Sequence, residues 1–213
     1  MIYAHEVDYN LFLGGARAFD RELEYLATEC SVKHVVRCLP MGEAEARAHA
    51  EKHGVRSLLV IPIHDDPSED IGAYLKSAVE FIGTALGRGE GVLVHCMMGI
   101  SRSATVVIAY LMRTKNQTLD EALQHCRDRR PMCLPNHGFI RHLIKWEGPS
   151  CEFDVKVYQR WQPLYPEVPN KVMRRLWEQV SSRGQGDGDE REFEEALRGL
   201  RRIPEMDDDI NYS

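Results

Sequence analysis

Short apolar runs alternate with longer segments of helical spacing over the first two thirds of the chain. The run at 92–94 is aliphatic throughout, which is typical of a strand buried on both faces of a sheet. The predicted strands are 11–13, 32–39, 57–61 and 92–94. The predicted helices are 19–28, 43–53, 71–86, 103–112, 119–129 and 137–147. Strands that alternate with helices predict an α/β fold built on one sheet.

Polar residues follow two of the predicted strands. Asp65 and Asp66 come after the third strand, and His95 and Cys96 come directly after the fourth. Ligands of open α/β sheets bind beyond the carboxyl ends of the strands. We therefore expect these two groups of residues to face one crevice.

The chain divides into two parts at Gly148-Pro149-Ser150. Residues 1–148 are the predicted globular domain, and 149–213 form an extension. The extension is rich in aromatic residues and proline at first, carries a predicted helix at 172–180, and becomes acidic toward its end. We expect the acidic part to be partly flexible, and either to recruit a partner or to keep the protein soluble.

Composition argues against several classes of protein. The net charge is −6, but residues 183–213 hold five arginines against ten acidic residues, so the rest of the chain is close to neutral. A near-neutral domain argues against general nucleic-acid binding. The first residues lack the features of a signal peptide, and no apolar run approaches the ~18 residues of a membrane span. Six cysteines without a C-x-x-C pair predict neither a disulfide framework nor a metal site. We expect a protein of the reducing cytoplasm or nucleus.

Residues 96–102, the phosphate loop, combine the groups that anion chemistry requires. Cys96 opens the segment, Arg102 closes it at the start of an apolar helix, and Gly99 permits a tight turn between them. The N–H groups and dipole of a helix N-terminus bind phosphate-like anions, and a guanidinium can hold two oxygens of one. The same positive field is expected to keep Cys96 ionised, as an in-line nucleophile on phosphorus. The alternative, a buried structural cysteine, leaves Arg102 and the small loop residues unexplained.

The sequence His-Cys-x-x-Gly-x-Ser-Arg-Ser at 95–103 resembles the signature of the cysteine-dependent protein phosphatases, and most closely their dual-specificity branch. The similarity extends through 11–14, 61–66, 109–112 and 130–139, and covers about residues 1–148. It implies a protein tyrosine phosphatase-like fold, with a central, mostly parallel twisted sheet of about five strands flanked by helices. The Lys-Asn-Arg-Tyr segment that deepens the pocket of tyrosine-only relatives has no counterpart, which favours a shallow site.

The resemblance implies a hydrolase without metal or cofactor that acts on phosphotyrosine and phosphoserine or phosphothreonine in proteins. Cys96 would form a cysteinyl-phosphate, and Ser103 would stabilise the departing thiolate. The alternative for Ser103 is an ordinary polar residue in the first turn of a helix. Arg102 and the backbone amides of the phosphate loop would bind the phosphate. The loop residues assigned to substrate binding are Met97, Met98, Gly99, Ile100, Ser101 and Arg102.

A general acid must protonate the leaving oxygen. Asp65 is the predicted acid, because its distance from the following helix resembles that in the family. Asp66 could take this role instead, or could disfavour the ionised form of Asp65 by like-charge repulsion. The alternative is that both are turn residues before Pro67.

Three further residues are predicted to support the site. Asn136 resembles the family asparagine that braces the phosphate loop, and it can also cap the last helix. His95 is expected to bond to the backbone and orient the loop rather than to take part in catalysis. Cys38 lies near where some relatives carry a cysteine that forms a disulfide with the nucleophile, although a strand cysteine is usually only buried.

The substrate is predicted to be a phosphoprotein. Phosphoinositide phosphatases of this superfamily carry lysines in the phosphate loop, and this loop has none. The near-neutral domain disfavours RNA 5′-triphosphate hydrolysis. Four arginines could still form a local basic patch for RNA, and the alternative is that they are an ordinary solvated helix face. That patch would consist of Arg127, Arg129, Arg130 and Arg141. The remaining alternatives are a phosphoglycan phosphatase and a phosphate-binding scaffold without turnover, the latter disfavoured because Cys96 and Arg102 are both present.

Overall fold

A computed structural model describes residues 3–148 of the chain. The strands within this part are β1 (Ala4–Asp8), β2 (Leu11–Gly14), β3 (Val32–Arg37), β4 (Ser57–Val60) and β5 (Gly91–His95). The helices are α1 (Ala16–Thr28), α2 (Glu43–Lys52), α3 (Gly72–Leu86), α4 (Arg102–Thr114), α5 (Leu119–Arg129) and α6 (His137–Glu147). The predicted extension at 149–213, with its helix and its acidic segment, lies outside the described residues.

The strands form one five-stranded sheet in the order β1-β2-β5-β3-β4. All neighbours are parallel except β1 and β2, which are antiparallel. The predicted α/β fold with a mostly parallel sheet is therefore confirmed. The sequence did not reveal β1, because only Ala4 and Val7 of this edge strand are buried and its polar residues interrupt any apolar run.

Helices cover both faces of the sheet. On one face, α1 and α2 pack against Phe12, Val35 and Leu93 in one apolar cluster. On the other face, α3 and α4 pack against the central strands, α5 contacts β1, and α6 packs on α4. Helix α4 is buried from Arg102 to Met112, as its nearly continuous apolar sequence predicts. Within residues 3–148, no helix is both long enough and apolar enough to cross a lipid bilayer.

The register of the parallel strands places the carboxyl ends of β2, β3 and β5 side by side at one end of the sheet. His95, the last residue of β5, pairs with Gly14 of β2 on one side and with Arg37 of β3 on the other. The phosphate loop therefore begins between the ends of two neighbouring strands. Helix α1 starts at Ala16, three residues before its predicted start, and the Ala16 N–H donates to the carbonyl of Met97 in that loop at 2.9 Å.

Candidate active site

The thiol of Cys96 lies buried directly after β5. Its Sγ accepts hydrogen bonds from the backbone N–H of Gly99 and from the hydroxyl of Ser103, each at 3.2 Å. Ser103 is itself buried in the first turn of α4. Two donors aimed at one sulfur stabilise negative charge on it. The arrangement therefore suits a thiolate, both as an attacking group and as a leaving group.

The backbone of the phosphate loop requires glycine at position 99. Gly99 has a φ of 69°, and a Cβ added there would lie 2.5 Å from the backbone carbon of Gly14. A side chain at this position would be strained by the positive φ and would also collide with the end of β2. The close approach that the sequence predicts at Gly99 is thus an approach of neighbouring backbone as well as room for an anion.

A buried arginine from the end of α5 holds the outer side of the phosphate loop. Arg130 donates from Nε to the carbonyl of Gly99 at 2.8 Å and from Nη2 to the carbonyl of Met98 at 3.0 Å. Its Nη1 donates to Nδ1 of His5 at 2.8 Å and to the carbonyl of Tyr3 at 3.4 Å. Because the C=O and N–H of one trans peptide point in opposite directions, fixing the Met98 carbonyl outward turns the Gly99 N–H toward the sulfur.

Arg130 is therefore not part of a solvated basic patch, one of the alternatives that the sequence left open. The side chain is buried, with 5% of its surface exposed, whereas Arg129 beside it is exposed. Burial lowers the pKa of Arg130 from its usual value, as expected for a cation removed from water. The available sequence signal was its position before Pro131, where a helix ends and the chain turns back toward the loop.

Arg102 contributes a guanidinium with an unused donor. Its Nη1 donates to the carbonyl of Ile63 at 3.3 Å. Its buried Nε has no hydrogen-bond partner among the described residues and lies 3.9 Å from Oδ2 of Asp65. A buried donor without an acceptor costs free energy. An oxygen of a bound phosphate would remove this cost, and the phosphate loop is where such an oxygen would lie.

Asp65 reaches the phosphate loop from residues 61–71, the acid loop, which joins β4 to α3. Its Oδ1 accepts hydrogen bonds from the Ser101 hydroxyl at 2.6 Å and from Nδ2 of Asn136 at 2.8 Å. Its side chain keeps 37% of its surface exposed, so a substrate can reach it. The structure thus brings together Asp65 and Arg102, which are far apart in the sequence.

Asp66 takes part in a local turn instead. Its Oδ1 accepts hydrogen bonds from the backbone N–H of Ser68 at 2.8 Å and from the hydroxyl of the same residue at 2.6 Å. This is the pattern of an aspartate that stabilises a turn. The geometry consequently favours Asp65 over Asp66 as the acid.

Asn136 combines the two functions that the sequence left open for it. Its Oδ1 accepts from the N–H of Phe139 at 2.9 Å and so caps α6. Its backbone N–H donates to the Ser101 hydroxyl at 3.0 Å, while its side-chain amide holds Asp65. Next to this cap, a Cβ at Gly138 would collide with the carbonyl of Pro67. The start of α6 therefore packs tightly against the acid loop.

The side chains of the phosphate loop differ in what they face. Ser101 is buried and its hydroxyl is used within the protein, between Asp65 and Asn136, so the substrate binding predicted for this residue would be through its backbone N–H. Ile100 is half-buried, and its carbonyl accepts from the N–H of Leu134 at 2.9 Å. Met97 and Met98 are exposed and remain available to a substrate.

His95 packs beneath the loop, next to the backbone of Cys96. That backbone interacts with the imidazole and partly offsets the effect of burial on its pKa, although neither ring nitrogen makes a hydrogen bond of ordinary geometry within residues 3–148. The ring stacks on Phe19, with centroids 4.7 Å apart and planes 8° from parallel. Burial lowers the pKa of His95 to about 3, so the imidazole is neutral at physiological pH. A neutral buried ring is consistent with a structural position.

Cys38 lies at the end of β3 beside the phosphate loop. It is buried, and its N–H donates to the carbonyl of His95 at 2.8 Å. Burial, and then the nearby Cys96, raise the pKa of the Cys38 thiol well above its usual value. Cys38 forms no disulfide among the described residues, and its role as a redox partner of Cys96 stays a prediction.

Comparison with known proteins gives a consistent result. The family model "Dual specificity phosphatase, catalytic domain" matches residues 11–148. Dual specificity protein phosphatase 1-A of Xenopus laevis is 42% identical over 99 residues, which are 45% of this chain and 27% of that protein. Dual specificity protein phosphatase Mpk3 of Drosophila melanogaster is 36% identical over 139 residues, 65% of this chain and 32% of that protein. The chain thus spans about a third or less of the length of these relatives.

A solved structure matches over most of its own length. The crystal structure of human DUSP28 superposes with a TM-score of 0.62 and 36% sequence identity, covering 69% of this chain and 94% of that one.

Proposed function

We propose, because the chain belongs to the dual specificity phosphatase family, that it hydrolyses phosphotyrosine and phosphoserine or phosphothreonine in proteins through a cysteinyl-phosphate. The observation that carries this proposal is that the thiol of Cys96 and the guanidinium of Arg102 belong to the same short loop. Cys96 Sγ receives two hydrogen bonds, and the buried Nε of Arg102 still needs an acceptor. A nucleophile that is stabilised as an anion beside an unused cationic donor fits a phosphate monoester.

In the first step, Cys96 Sγ attacks phosphorus, and the bond from phosphorus to the ester oxygen breaks. The electron pair goes to the leaving oxygen, which takes a proton from Asp65. Both hydrogen bonds to this carboxyl are received by Oδ1, from Ser101 and Asn136. Oδ2 is therefore the oxygen that we assign as the proton donor.

In the second step, water attacks the phosphorus of the cysteinyl-phosphate, and the Asp65 carboxylate takes a proton from that water. The bond from sulfur to phosphorus breaks, and the electron pair returns to sulfur. The Ser103 hydroxyl and the Gly99 N–H, each 3.2 Å from Sγ, stabilise the thiolate as it departs. Inorganic phosphate then leaves the loop.

Arg102 and the backbone amides of the phosphate loop would hold the three equatorial oxygens in both steps. Phosphoryl transfer depends mainly on positioning and on charge stabilisation. Arg102 is positioned by its bond to the Ile63 carbonyl, and the loop is positioned by Arg130. These groups are fixed before substrate arrives, which reduces the reorganisation needed in the transition state.

The experiment that tests this proposal measures phosphate release from a small aryl phosphate and from phosphopeptides. We expect turnover of both, and its loss in Cys96→Ser. A protein that binds phosphopeptide without releasing phosphate would instead be a scaffold. Higher kcat/KM on a phosphoinositide, an RNA 5′-triphosphate or a phosphoglycan than on any phosphopeptide would support a non-protein substrate.

The identity of the acid has a separate test. Asp65→Asn is expected to slow substrates with poor leaving groups, such as phosphoserine peptides, far more than aryl phosphates with good leaving groups. Only poor leaving groups need full protonation. Equal losses for both kinds of substrate would assign the acid to another residue, with Asp66→Asn as the matched variant.

Two further proposals concern the setting of the protein. A thiolate nucleophile needs reducing conditions, so we assign the chain to the cytoplasm or nucleus, which imaging of the full-length protein tests.

We also propose that the acidic segment 183–213 recruits a partner. Comparison of the proteins captured by the full chain and by a chain without that segment tests this second assignment.

A further inference from the structure

Large apolar side chains are exposed at only a few positions among residues 3–148. They are Tyr9, Tyr25, Met41, Met97, Met98 and Met132. Methionine accounts for most of these positions, although it is an uncommon residue in this chain. An exposed apolar group that serves no packing purpose suggests a binding surface when several occur together.

Three of these methionines lie around the phosphate loop, and we call Met97, Met98 and Met132 the methionine rim. Their exposed fractions are 55%, 45% and 50%. Met97 and Met98 directly follow the nucleophile Cys96 in the sequence. The first two members of the rim are thus part of the loop that binds phosphate.

Met132 belongs to the rim through the contacts of its neighbours. Two residues before it, Arg130 donates to the carbonyl of Met98 at 3.0 Å. Two residues after it, the N–H of Leu134 donates to the carbonyl of Ile100 at 2.9 Å. The short segment that carries Met132 is therefore bonded at both ends to the phosphate loop, and the Met132 side chain on this segment is exposed.

The two cations that belong to the phosphate loop or bond to it limit what can bind there. Arg102 is the only charged residue between positions 96 and 102, and it is buried. Arg130, the other cation bonded to the loop, is buried as well. Neither cation is available to side chains next to a bound phosphate. An anionic membrane surface would call for exposed basic residues, and the loop has none.

We propose that the methionine rim selects phosphopeptides with large apolar side chains next to the phosphorylated residue. This inference rests on the proposed function and names its substrate class. A phosphorylated side chain that reaches Cys96 brings its flanking residues onto Met97, Met98 and Met132. Thioether side chains are flexible and polarizable, so they accept aliphatic and aromatic partners of differing shape. They offer no partner to a carboxylate or an ammonium group, which would lose hydration on contact.

The test uses three phosphotyrosine peptides that differ only in the residues flanking phosphotyrosine, which are leucine, glutamate or lysine. We expect kcat/KM for the leucine peptide to exceed that for either charged peptide by about tenfold, a usual size for discrimination by apolar contact. Met132→Gln is expected to lower this ratio by about threefold. Met132→Leu is expected to preserve it, because the apolar contact remains. Met98→Gln provides a second variant should Met132→Gln fold poorly.

Tyr9→Gln is the matched control. Tyr9 is 79% exposed in the turn between β1 and β2. This turn lies at the end of the sheet opposite to the one where the phosphate loop begins. Removing its ring is expected to leave the ratio of the peptides unchanged. A small aryl phosphate, which has no flanking residues, provides the reference rate for every variant.

The outcomes separate this inference from the proposed function. Equal kcat/KM for the three peptides, with the aryl phosphate still turned over, would overturn the rim and leave the phosphatase in place. Faster turnover of a phosphoinositide in phosphatidylcholine vesicles than of the leucine peptide would also overturn the rim, in favour of a lipid substrate. No turnover of any substrate would overturn both.

Discussion

The hydroxyl of Ser101 donates a 2.6 Å hydrogen bond to Oδ1 of Asp65 and thereby links the phosphate loop to the acid loop. The same hydroxyl accepts the N–H of Asn136 at 3.0 Å, and Asn136 in turn donates to Asp65 at 2.8 Å. These three bonds form a closed triangle between the phosphate loop, the acid loop and the start of α6. The position of the proposed acid therefore depends on a serine that does not bind the phosphate with its side chain.

Ser101→Ala removes one of the two donors to Asp65. We expect kcat for a phosphoserine peptide to fall about tenfold, with KM little changed, because a positioned acid contributes about 10²–10⁴-fold and Asn136 still holds it. An aryl phosphate with a good leaving group should be affected much less. Ser68→Ala, which removes a hydroxyl bonded to Asp66 in the same acid loop, is the matched control. An equal loss on both substrates would mean that Ser101 shapes the phosphate loop rather than the acid.

Ser103→Ala removes a donor to Cys96 Sγ, and we expect it to slow the second chemical step. The thiolate then departs with one hydrogen bond fewer, and loss of such a donor costs about 10²-fold in rate. Rapid mixing with an aryl phosphate should show a burst of the aryl alcohol followed by slow turnover. Thr105→Val is the control, at a position on the next turn of α4. It removes a hydroxyl that donates to the carbonyl of Ser101, and it should give no burst. A Ser103→Ala protein with unchanged turnover would exclude the proposed role.

Arg130→Lys keeps the positive charge. A single ammonium group, however, cannot donate at the same time to the carbonyls of Met98 and Gly99 and to the acceptors on Tyr3 and His5. We expect the free energy of unfolding to fall by about 3 kcal/mol, because buried carbonyls lose charged donors. Turnover should fall as well, since the loop is no longer fixed. Urea unfolding and aryl phosphate kinetics measure the two effects. Arg129→Lys, at the exposed neighbouring position, should change neither, and equal behaviour of the two variants would contradict the assignment.

Stability is expected to fall as the pH drops below about 6.5. Burial lowers the pKa of His95 to about 3 and that of His137 to about 4. In the unfolded chain, both imidazoles take up protons near pH 6.5. Their contribution is therefore fully present above pH 6.5 and is lost as the pH falls toward the folded values. Each imidazole contributes a slope that approaches about 1.4 kcal/mol per pH unit between these limits.

Urea unfolding between pH 7.5 and pH 5 measures that slope. His137→Asn should reduce it by about 1.4 kcal/mol per pH unit below pH 6, because one proton fewer is taken up on unfolding. The exposed His64 supplies the control, and His64→Asn should leave the slope nearly unchanged. A slope unaffected by His137→Asn would show that the imidazole of His137 does not cause this loss of stability.

Apart from β1, the elements and the phosphate loop could be predicted because their signals are local. The strands and helices follow from apolar spacing, and Cys96, Gly99, Arg102 and Ser103 all lie within eight consecutive residues. The bonds between loops could not be predicted in the same way. Arg130 and Gly99 are 31 residues apart, and their contact depends on how α5 packs.

Adjacent residues posed a different difficulty. Asp65 and Asp66 have nearly the same spacing to every motif, so the sequence favoured Asp65 only through the resemblance of its distance from the following helix and left Asp66 as an alternative. Their hydrogen bonds differ because Asp65 faces the phosphate loop and Asp66 faces Ser68. Strand β1 was missed for another reason. Apolar spacing did not predict it, because the strand is held in place by its pairing with β2 rather than by a run of buried residues.

The bond from Arg130 to the first strand bears on how the domain should be trimmed for study. A fragment cut to the matched range, 11–148, would retain Cys96 and Arg102 but lose Tyr3 and His5. Nη1 of Arg130 would then lack both acceptors, although the other two nitrogens would still reach the phosphate loop. Such a minimal fragment would contain every reacting group and still have a loosened nucleophile, and its low turnover would wrongly suggest an inactive enzyme.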